Sequence, residues 1–499
     1  MTPEEALFKY FGYHQFRDGQ REIVDALVSG RDVLALLPTG GGKSICFQLP
    51  ALLLPGVTLV ISPLISLMYD QVQALELKKI KACSVTSALS SQEKKSLMTN
   101  IEKNEYKIIY ISPERFVSET FQKALKNLSI SLIAIDEAHC MVEWGHDFRP
   151  PHLEIGKIIA SWENRPPIGA FTATATPSTA VEIVKSLKLS DPFLNSADFA
   201  RKNLHISIIR PESTFLHTLL FLRLLVRHGE QSGIVYTTTR KAAEQFARLI
   251  SDFSKICDQY PKPVLIYHGG MTAEARQKAQ DTFISQKSSV IVATNAFGMG
   301  VDKPNTSFVI HVQVPGTIEA YYQEIGRAGR DGKPAWCYFL YDPRSIRIQR
   351  SMIAQSTQSD IKFQKFYSML AYISGSDCRM SHLVSYFSPT RSVPSAPCEI
   401  CDNCVKKASL IEYVSHPLFQ ITSNPEIEMI QKIKKRLKNS AEFGFSTCTD
   451  VQLAFLAHAR PICLNQAVKI PAIGTGWIKK WWPIFKPMLS NSRMIQLDD

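Results

Sequence analysis

The stretch that decides the fold of this 499-residue chain is VLALLPTGGGKS, which runs from Val33 to Ser44. Residues 33–37 form an apolar strand that leads directly into a glycine-rich loop, and a helical pattern follows the loop. Glycines let backbone N–H groups turn toward an anion, and the N-terminus of the helix adds partial positive charge. The pattern therefore predicts a phosphate cradle, although Leu37 stands where the general motif has its first glycine. The predicted contacts are Thr39, Gly40, Gly42, Lys43 and Ser44.

Two acidic residues follow another apolar strand. Residues 132–135 end at Asp136 and Glu137, which places both carboxylates at the carboxyl end of a strand, the ligand edge of a parallel sheet. Lys43 would neutralise phosphate oxygens, while Ser44 and Asp136 would hold Mg²⁺. Glu137 would orient or deprotonate the attacking water. Taken singly, the two motifs have a glycine-rich turn and a surface turn as alternatives, but together they predict ATP hydrolysis.

Short apolar runs alternate with helical patterns along the first 340 residues, which is typical of parallel α/β sheets. Two sets of five runs are separated near residues 191–203, where Pro192 and small polar residues interrupt the pattern. The strands are predicted at residues 33–37, 58–61, 108–111, 132–135, 168–173, 233–236, 264–267, 290–293, 308–312 and 336–340. We therefore expect two α/β domains, followed by helices over residues 346–383.

The composition indicates a folded chain with a polyanionic partner. Hydrophobic residues make up 45% and charged residues 20%, which is ordinary for a globular protein. No apolar run approaches the roughly 20 residues that cross a bilayer, and the acidic N-terminus lacks the features of a secretory signal. We therefore expect an intracellular protein without a membrane span. The formal charge is +12, and half of this surplus lies in residues 405–499, which favours nucleic acid as a partner.

Four of the eleven cysteines have the spacing of a metal site. Cys398, Cys401 and Cys404 form a C-x₂-C-x₂-C group, and Cys378 is a distant fourth. Four thiolates suit tetrahedral Zn²⁺, and a site without an open position is structural. Incidental or redox-active thiols are the alternative.

In the order of its motifs the chain resembles the RecQ family of DNA helicases, which belong to superfamily 2. The stretches that carry the resemblance, besides the phosphate loop and DEAH at residues 136–139, are FGY at 11–13, FR at 16–17 with Gln20, SPLISLM at 62–68, YISPER at 110–115, TATA at 172–175, VATNAFGMGVDKP at 292–304 and QEIGRAGRDG at 323–332. The resemblance covers about residues 7–404 and implies an ATP-dependent 3′–5′ DNA helicase of repair and recombination. The implied fold is of the α/β class: two tandem RecA-like parallel-sheet domains, then a helical zinc-binding module and a small helical C-terminal module.

The resemblance also assigns roles to further residues. Gln20 would recognise the adenine edge, since its amide offers both a donor and an acceptor, and Arg17 would join the nucleotide site. Arg330, or Arg327 in its place, would be an arginine finger that reaches from the second domain to the γ-phosphate. Hydrolysis would then depend on closure of the two domains.

The segment CMVEWGHDFR at residues 140–149 resembles the aromatic-rich loop of the family. Trp144 and Phe148 would stack on unpaired bases, with His146 and Arg149 as further DNA contacts. Because the loop closely follows Glu137, a stacked base would signal DNA occupancy to the hydrolytic site. Ordinary packing of an aromatic pair is the alternative.

Domain boundaries are predicted from the same motifs. They are residues 1–197 and 198–345 for the RecA-like domains, 346–407 for the zinc-binding module, 408–424 for a linker and 425–495 for a module similar to helicase-and-RNase-D C-terminal domains. The linker is too short for the winged-helix domain of full-length family members, so the chain is expected to lack one there. Basic residues of the last module, among them Lys432, Lys435 and Lys479, would contact the DNA backbone or form a solvated face.

The expected cofactors are ATP, Mg²⁺ and Zn²⁺, and the expected partner is single-stranded, tailed or branched DNA. Two other functions stay open. One is an RNA-acting ATPase of the same fold, and the other is a nucleic-acid-binding or strand-annealing factor whose ATPase only switches affinity. In a bacterium the protein is expected in the cytoplasm, associated with the nucleoid. In a eukaryote it is expected in the nucleus.

Overall fold

The computed structural model of the chain contains two parallel β-sheets with helices packed around them. It describes residues 1–38, 40–86, 91–125, 128–143, 151–196, 199–211, 214–255, 263–298, 303–388 and 397–406, together with residues 452, 453, 455, 456, 461, 463–468, 470, 476, 478, 479, 482, 483 and 486. The predicted linker at 408–424 and most of the predicted C-terminal module lie outside these residues. Among the described helices, none combines the length and the apolar character needed to span a bilayer.

The first sheet occupies the N-terminal part of the chain. Its strands are β1 Val33–Leu36, β2 Val57–Ile61, β3 Ala82–Val85, β4 Ile108–Ile111, β5 Ile130–Ile135, β6 Ile168–Thr172 and β7 Phe193–Ser196. They lie in the order β3-β4-β2-β5-β6-β1-β7, and every pairing is parallel. Because β6 lies between β1 and β5, the loops that follow these three strands meet at one edge of the sheet.

Ten helices accompany this sheet in the described residues. They are α1 Pro3–Phe11, α2 Gln20–Val28, α3 Ile45–Leu53, α4 Ile65–Leu77, α5 Ser91–Glu102, α6 Pro113–Phe116, α7 Glu119–Leu125, α8 His139–Glu143, α9 Pro151–Ala160 and α10 Pro177–Leu187. The first helix shows how local sequence sets a boundary, since Thr2 and Glu5 form a reciprocal capping box and Gly12 ends the helix with a positive φ of 76°.

The second sheet has six parallel strands. They are β8 Leu204–Ile209, β9 Ser232–Tyr236, β10 Val264–Tyr267, β11 Val290–Ala293, β12 Thr306–His311 and β13 Ala335–Leu340. Their order is β10-β11-β9-β12-β13-β8. The accompanying helices are α11 Thr214–Arg227, α12 Arg240–Ser254, α13 Ala273–Ser285 and α14 Ile318–Ile325.

A helical region follows the second sheet and shares its core. Its helices are α15 Pro343–Ala354, α16 Ser359–Ser374, α17 Arg379–Phe387 and α18 Asp402–Lys406. Phe366, Tyr372 and Phe387 are buried in the same apolar cluster as Tyr322 and Phe339 of the second sheet's domain. The helical region is therefore packed on the second α/β domain.

The described C-terminal residues pack against the opposite side of that domain's core. Leu453, Phe455 and Trp482 belong to an apolar cluster with Ile250 and Phe253 of α12, and the rings of Phe253 and Phe455 stack with centroids 6.2 Å apart. A short helix, α19 Leu464–Val468, contributes to the same cluster. Removing this segment would therefore expose apolar surface on the second domain.

Ten strands were predicted, and three more are present among the described residues. The prediction missed β3, β7 and β8, and treated residues 191–203 as an interruption although β7 lies inside it. All three missed strands are edge strands of their sheets. Polar residues interrupt all three: Ser84 in β3, Asn195 and Ser196 in the partly exposed β7, and His205 and Ser207 in β8. They therefore lack the continuous apolar run that marks a buried parallel strand.

Candidate functional site

The glycine-rich loop joins β1 to α3, as the sequence predicts. Gly40 and Gly42 have positive φ angles of 81° and 78°, and Ser44 stands at the N-cap of α3. A Cβ atom on Gly42 would collide with the side-chain amide of Gln20, so only glycine fits there. Thr39 lies outside the described residues.

Gln20 and Arg17 both contact this loop. The buried Gln20 amide donates from Nε2 to the carbonyls of Gly41 and Gly42 at 3.1 and 3.2 Å, and its Oε1 accepts from the backbone N–H of Arg17 at 2.9 Å. Arg17 itself donates to the Gly40 carbonyl. The two residues predicted at the nucleotide thus hold the backbone of the phosphate loop.

The acidic pair begins directly after β5 and faces the loop lysine. Lys43 Nζ lies 3.2 Å from Glu137 Oε1, and His139 Nδ1 lies 3.5 Å from Glu137 Oε2. Asp136 accepts the backbone N–H of Glu137 at 3.0 Å. Glu137 has a φ of 49°, an uncommon backbone conformation for a non-glycine residue that often marks a functional position.

The pKa values of the two carboxyl groups are shifted in opposite directions. Burial raises the pKa of Asp136 to about 7, and the neighbouring Glu137 carboxylate adds to this effect. Burial also opposes ionisation of Glu137, but Lys43 and His139 outweigh it and hold the pKa of Glu137 below its ordinary value. Ionisation is therefore favoured at Glu137 over Asp136. Its buried Oε2 accepts no hydrogen bond within the described part of the chain, which leaves this atom available to a water molecule.

Two arginines of the second domain reach this site. The side chain of Arg330 passes over the phosphate loop, since a Cβ on Gly40 would lie 3.5 Å from Arg330 Cγ. Arg327 is buried against Gly298 and lies close enough to Glu137 to lower the pKa of that carboxyl. Of the two arginine-finger candidates, Arg330 thus lies at the phosphate loop and Arg327 at the acidic pair.

Sequence reasoning missed two contacts that connect the motifs. Gln323 Nε2 donates to Thr174 Oγ1 at 3.1 Å and so links the two domains, and His139 Nδ1 lies 2.9 Å from Thr172 Oγ1. These residues stand in stretches that carry the family resemblance, but nothing in the sequence shows which side chains of two stretches meet. Trp144, His146, Phe148 and Arg149, predicted as DNA contacts, lie outside the described residues.

The four predicted zinc ligands come together. The Sγ atoms of Cys378, Cys398, Cys401 and Cys404 all lie within 4.8 Å of one another. Backbone N–H groups of Arg379 and Cys398 donate to the sulfurs of Cys401 and Cys378, each at 3.4 Å. A hydrogen bond from Cys398 lowers the pKa of Cys401, while the hydrogen bond with Cys401 raises the pKa of Cys398 and burial raises that of Cys404. Four clustered sulfurs are the donor set of a closed structural Zn²⁺ site, and the residues fit this metal.

A buried ion pair ties the cysteine cluster to the second sheet. Asp402 is fully buried and accepts from Arg379 Nε at 2.9 Å, from Arg379 Nη2 at 3.2 Å and from the backbone N–H of Ile208 in β8 at 3.1 Å. Arg379 also donates to the carbonyls of Tyr372 and Gly375. The cluster is therefore anchored to an edge strand of the second α/β domain.

Three families match successive parts of the chain. Residues 17–183 match the DEAD/DEAH box helicase family, residues 215–332 the helicase conserved C-terminal domain and residues 343–405 the RecQ zinc-binding family. The chain is 40% identical over 406 residues to the ATP-dependent DNA helicase RecQ of Bacillus subtilis, covering 80% of this chain and 66% of that protein. It is 39% identical to RecQ of Synechocystis over 68% of this chain and 70% of that protein.

Two further comparisons extend these matches. The chain is 35% identical to the putative ATP-dependent RNA helicase R290 of Acanthamoeba polyphaga mimivirus, covering 95% of this chain and 84% of that protein. The helicase Lhr of Mycobacterium smegmatis, solved with ssDNA and AMP-PNP, superposes with a TM-score of 0.56 at 17% identity, covering 78% of this chain and 55% of that one, and shows the fold alone. The chain spans less than two thirds of the length of several curated RecQ relatives, 66% in the B. subtilis case.

Proposed function

Because the chain belongs to the RecQ family of helicases, we propose that it hydrolyses ATP to move 3′–5′ along single-stranded DNA and to unwind tailed or branched duplexes. One observation carries the proposal: the glycine loop and acidic pair of the first sheet and the arginines of the second sheet converge on one site. A site shared between two domains couples turnover to their closure, which is what a translocating motor requires.

Within this site each residue has a proposed role. Lys43, now paired with Glu137 at 3.2 Å, exchanges that partner for the β- and γ-phosphates when ATP binds. The freed Glu137 carboxylate orients or deprotonates the attacking water through Oε2, which accepts no hydrogen bond from the residues that the structure describes. Arg330 stabilises charge on the γ-phosphate in the transition state, with Arg327 as the alternative finger.

The metal of the nucleotide site would be held by Ser44 and Asp136, which stand at the N-cap of α3 and directly after β5. Mg²⁺ would supply charge neutralisation of the phosphate oxygens. Asp136 fits this role, because burial next to Glu137 disfavours its charge and a cation would restore the ionised form.

We extend the proposal to the domain division and the DNA contacts. The boundaries 1–197, 198–345, 346–407 and 425–495, with a linker at 408–424, are supported by the family matches up to residue 405. The +12 charge supports a nucleic-acid partner. The chain would act where DNA is found, in the cytoplasm of a bacterium or the nucleus of a eukaryote.

Polynucleotide-stimulated ATPase tests the proposal. Turnover is measured with Mg²⁺-ATP alone and then with single-stranded DNA, single-stranded RNA or duplex DNA at fixed salt. We expect single-stranded DNA to give the largest stimulation. An ATPase that no polynucleotide stimulates would contradict a translocating motor.

An RNA-acting ATPase is the second candidate function. It is favoured by the mimiviral relative, which is named an RNA helicase and covers 95% of this chain. The same assay separates the two candidates, because an RNA-acting enzyme would be stimulated more strongly by single-stranded RNA than by DNA.

A further inference from the structure

The two arginine-finger candidates lie on an irregular loop between α14 and β13. Gly329, which stands between Arg327 and Arg330, has a φ of 58°, and its backbone N–H donates to the Thr306 carbonyl at 2.8 Å. The backbone N–H of Asp331 donates to the Pro304 carbonyl at 3.2 Å. Two N–H groups of the loop are thus bonded toward the β12 side, and the Gly329 carbonyl accepts from the N–H of Gly332 within the loop at 3.2 Å.

Arg201 donates three hydrogen bonds to carbonyls of this loop. Its Nη1 donates to the Gly326 carbonyl at 3.4 Å, and its Nη2 donates to the carbonyls of Ala328 and Gly329 at 3.0 and 2.9 Å. The three carbonyls bracket Arg327 and immediately precede Arg330. A planar guanidinium has several donors in fixed directions, so one side chain fixes three points of the loop.

Asn203 donates two further hydrogen bonds to the same loop. Its Nδ2 donates to the carbonyls of Gly329 and Lys333, each at 2.8 Å. A Cβ on Gly329 would lie 2.5 Å from this nitrogen, so the amide also occupies the space that only glycine leaves open. Arg201 and Asn203 together make five hydrogen bonds to this loop, residues 326–333, which we call the finger loop.

Both residues lie where the chain passes from one domain to the other. The last strand of the first sheet, β7, ends at Ser196, and the first strand of the second sheet, β8, begins at Leu204. Arg201 also lies near Arg17, since the two positive charges interact, and Arg17 bonds the Gly40 carbonyl of the phosphate loop. The hydrogen bonds of Arg201 and Asn203 thus fix the segment that enters the second domain to the loop that carries the arginine finger.

We propose that Arg201 and Asn203 are positioning residues of the arginine finger: they hold residues 326–333 in the shape that places Arg330 over the phosphate loop. This inference rests on the proposed ATPase function. A preorganised cation stabilises transition-state charge without reorganisation, and a misplacement of about 1 Å costs on the order of 100-fold in rate. Arg201 and Asn203 act through Arg330, since their hydrogen bonds go to the backbone of the loop that carries it.

The test begins with Arg201→Lys, which keeps a positive charge but cannot reach three carbonyls at once. We expect kcat for ATP to fall about 10- to 100-fold and KM to stay within about twofold, because the finger acts chiefly in the transition state. Asn203→Ala removes two of the five hydrogen bonds and should show the same split with a smaller loss of kcat. A rise in KM with kcat unchanged would overturn the proposal.

A double-mutant cycle then separates positioning from general stability. If Arg201 acts through Arg330, the variant carrying both Arg201→Lys and Arg330→Ala turns over no more slowly than Arg330→Ala alone. Effects that multiply would show that Arg201 acts independently of the finger. Should Arg201→Lys fold poorly, the cycle of Asn203→Ala with Arg330→Ala gives the same decision.

Arg210→Lys is the matched control. Arg210 also donates to a backbone carbonyl, that of Ile373, but it follows the carboxyl end of β8, whereas Arg201 and Asn203 precede the amino end. We expect unchanged kcat and KM for this variant, and a kcat as low as that of Arg201→Lys would contradict a specific role of Arg201. A wild-type chain without ATP turnover would contradict the proposed function, whereas an active wild type with a multiplicative cycle would contradict the positioning role alone.

Discussion

Asp402→Asn breaks the connection between the zinc cluster and the second α/β domain. The substitution keeps the size of the side chain but removes the charge that faces Arg379. The side chains of both residues are almost fully buried, with exposures of 0% for Asp402 and 4% for Arg379. In this variant the Arg379 guanidinium would still donate to the carbonyls of Tyr372 and Gly375, but it would lose the carboxylate that neutralises its charge.

The magnitude follows from this burial. Leaving one charge of a buried pair without its partner costs about 3–5 kcal/mol, which is large compared with the roughly 5–15 kcal/mol that stabilises a domain. At about 1.4 kcal/mol per factor of ten, the local opening equilibrium of the cysteine cluster rises about 100-fold or more. Exposed pairs are worth less than about 1 kcal/mol, so Glu119→Gln in the Glu119–Lys123 pair, whose side chains are 84% and 70% exposed, is the matched control.

The zinc content of each purified variant is measured first. The rate of zinc release to an excess of a chromogenic chelator is then followed. Release from Asp402→Asn should be about 100-fold faster than from the wild type, and release from Glu119→Gln should be unchanged. Replacing Arg379 by Gln in the same chain should recover part of the loss, because no buried charge is then left unpaired. Acceleration of less than about threefold would refute the reasoning, since it would mean that the pair carries no net coupling.

Three predictions concern the nucleotide site and the aromatic loop. Lys43→Ala should abolish ATP turnover, because it removes the cation of the phosphate loop that neutralises both the β- and the γ-phosphate. Retained turnover in a coupled ATPase assay would refute the site. Glu137→Gln should keep nucleotide binding, measured by fluorescent-ATP titration, while turnover falls about 100-fold or more; lost binding would assign Glu137 to the metal or the fold. Trp144→Ala should leave basal ATPase intact and reduce its stimulation by DNA, whereas an equal fall in both rates would indicate packing.

The sequence predicted the central strands of both sheets and missed three edge strands. Central parallel strands such as β11 are covered on both faces, so they are apolar throughout and are visible as continuous runs. The edge strand β7 contains Asn195 and Ser196 and depends on pairing with β1, which no local pattern reveals. Polar residues within a strand therefore limit what periodicity can detect.

The same distinction holds for the site. The phosphate loop, the acidic pair and the four cysteines are set by local spacing, and the structure brings each group together. Contacts between distant single residues have no such signal. Arg201 donates to the carbonyls of Gly326, Ala328 and Gly329, and Asp402 accepts from the backbone N–H of Ile208. In both cases the partner is a backbone group, which any residue type would supply. Only the three-dimensional arrangement identifies these side chains.

Strand displacement with tailed duplexes tests the central claim most directly. The wild-type chain and Lys43→Ala are compared on DNA duplexes with a 3′ tail, a 5′ tail or blunt ends, and on an RNA duplex with a 3′ tail, all at one salt concentration. We predict ATP-dependent displacement on the 3′-tailed DNA, little on the 5′-tailed DNA and none by Lys43→Ala. Displacement confined to the RNA duplex, or strand annealing without any ATP-dependent displacement, would contradict the assignment of this chain as a 3′–5′ DNA helicase.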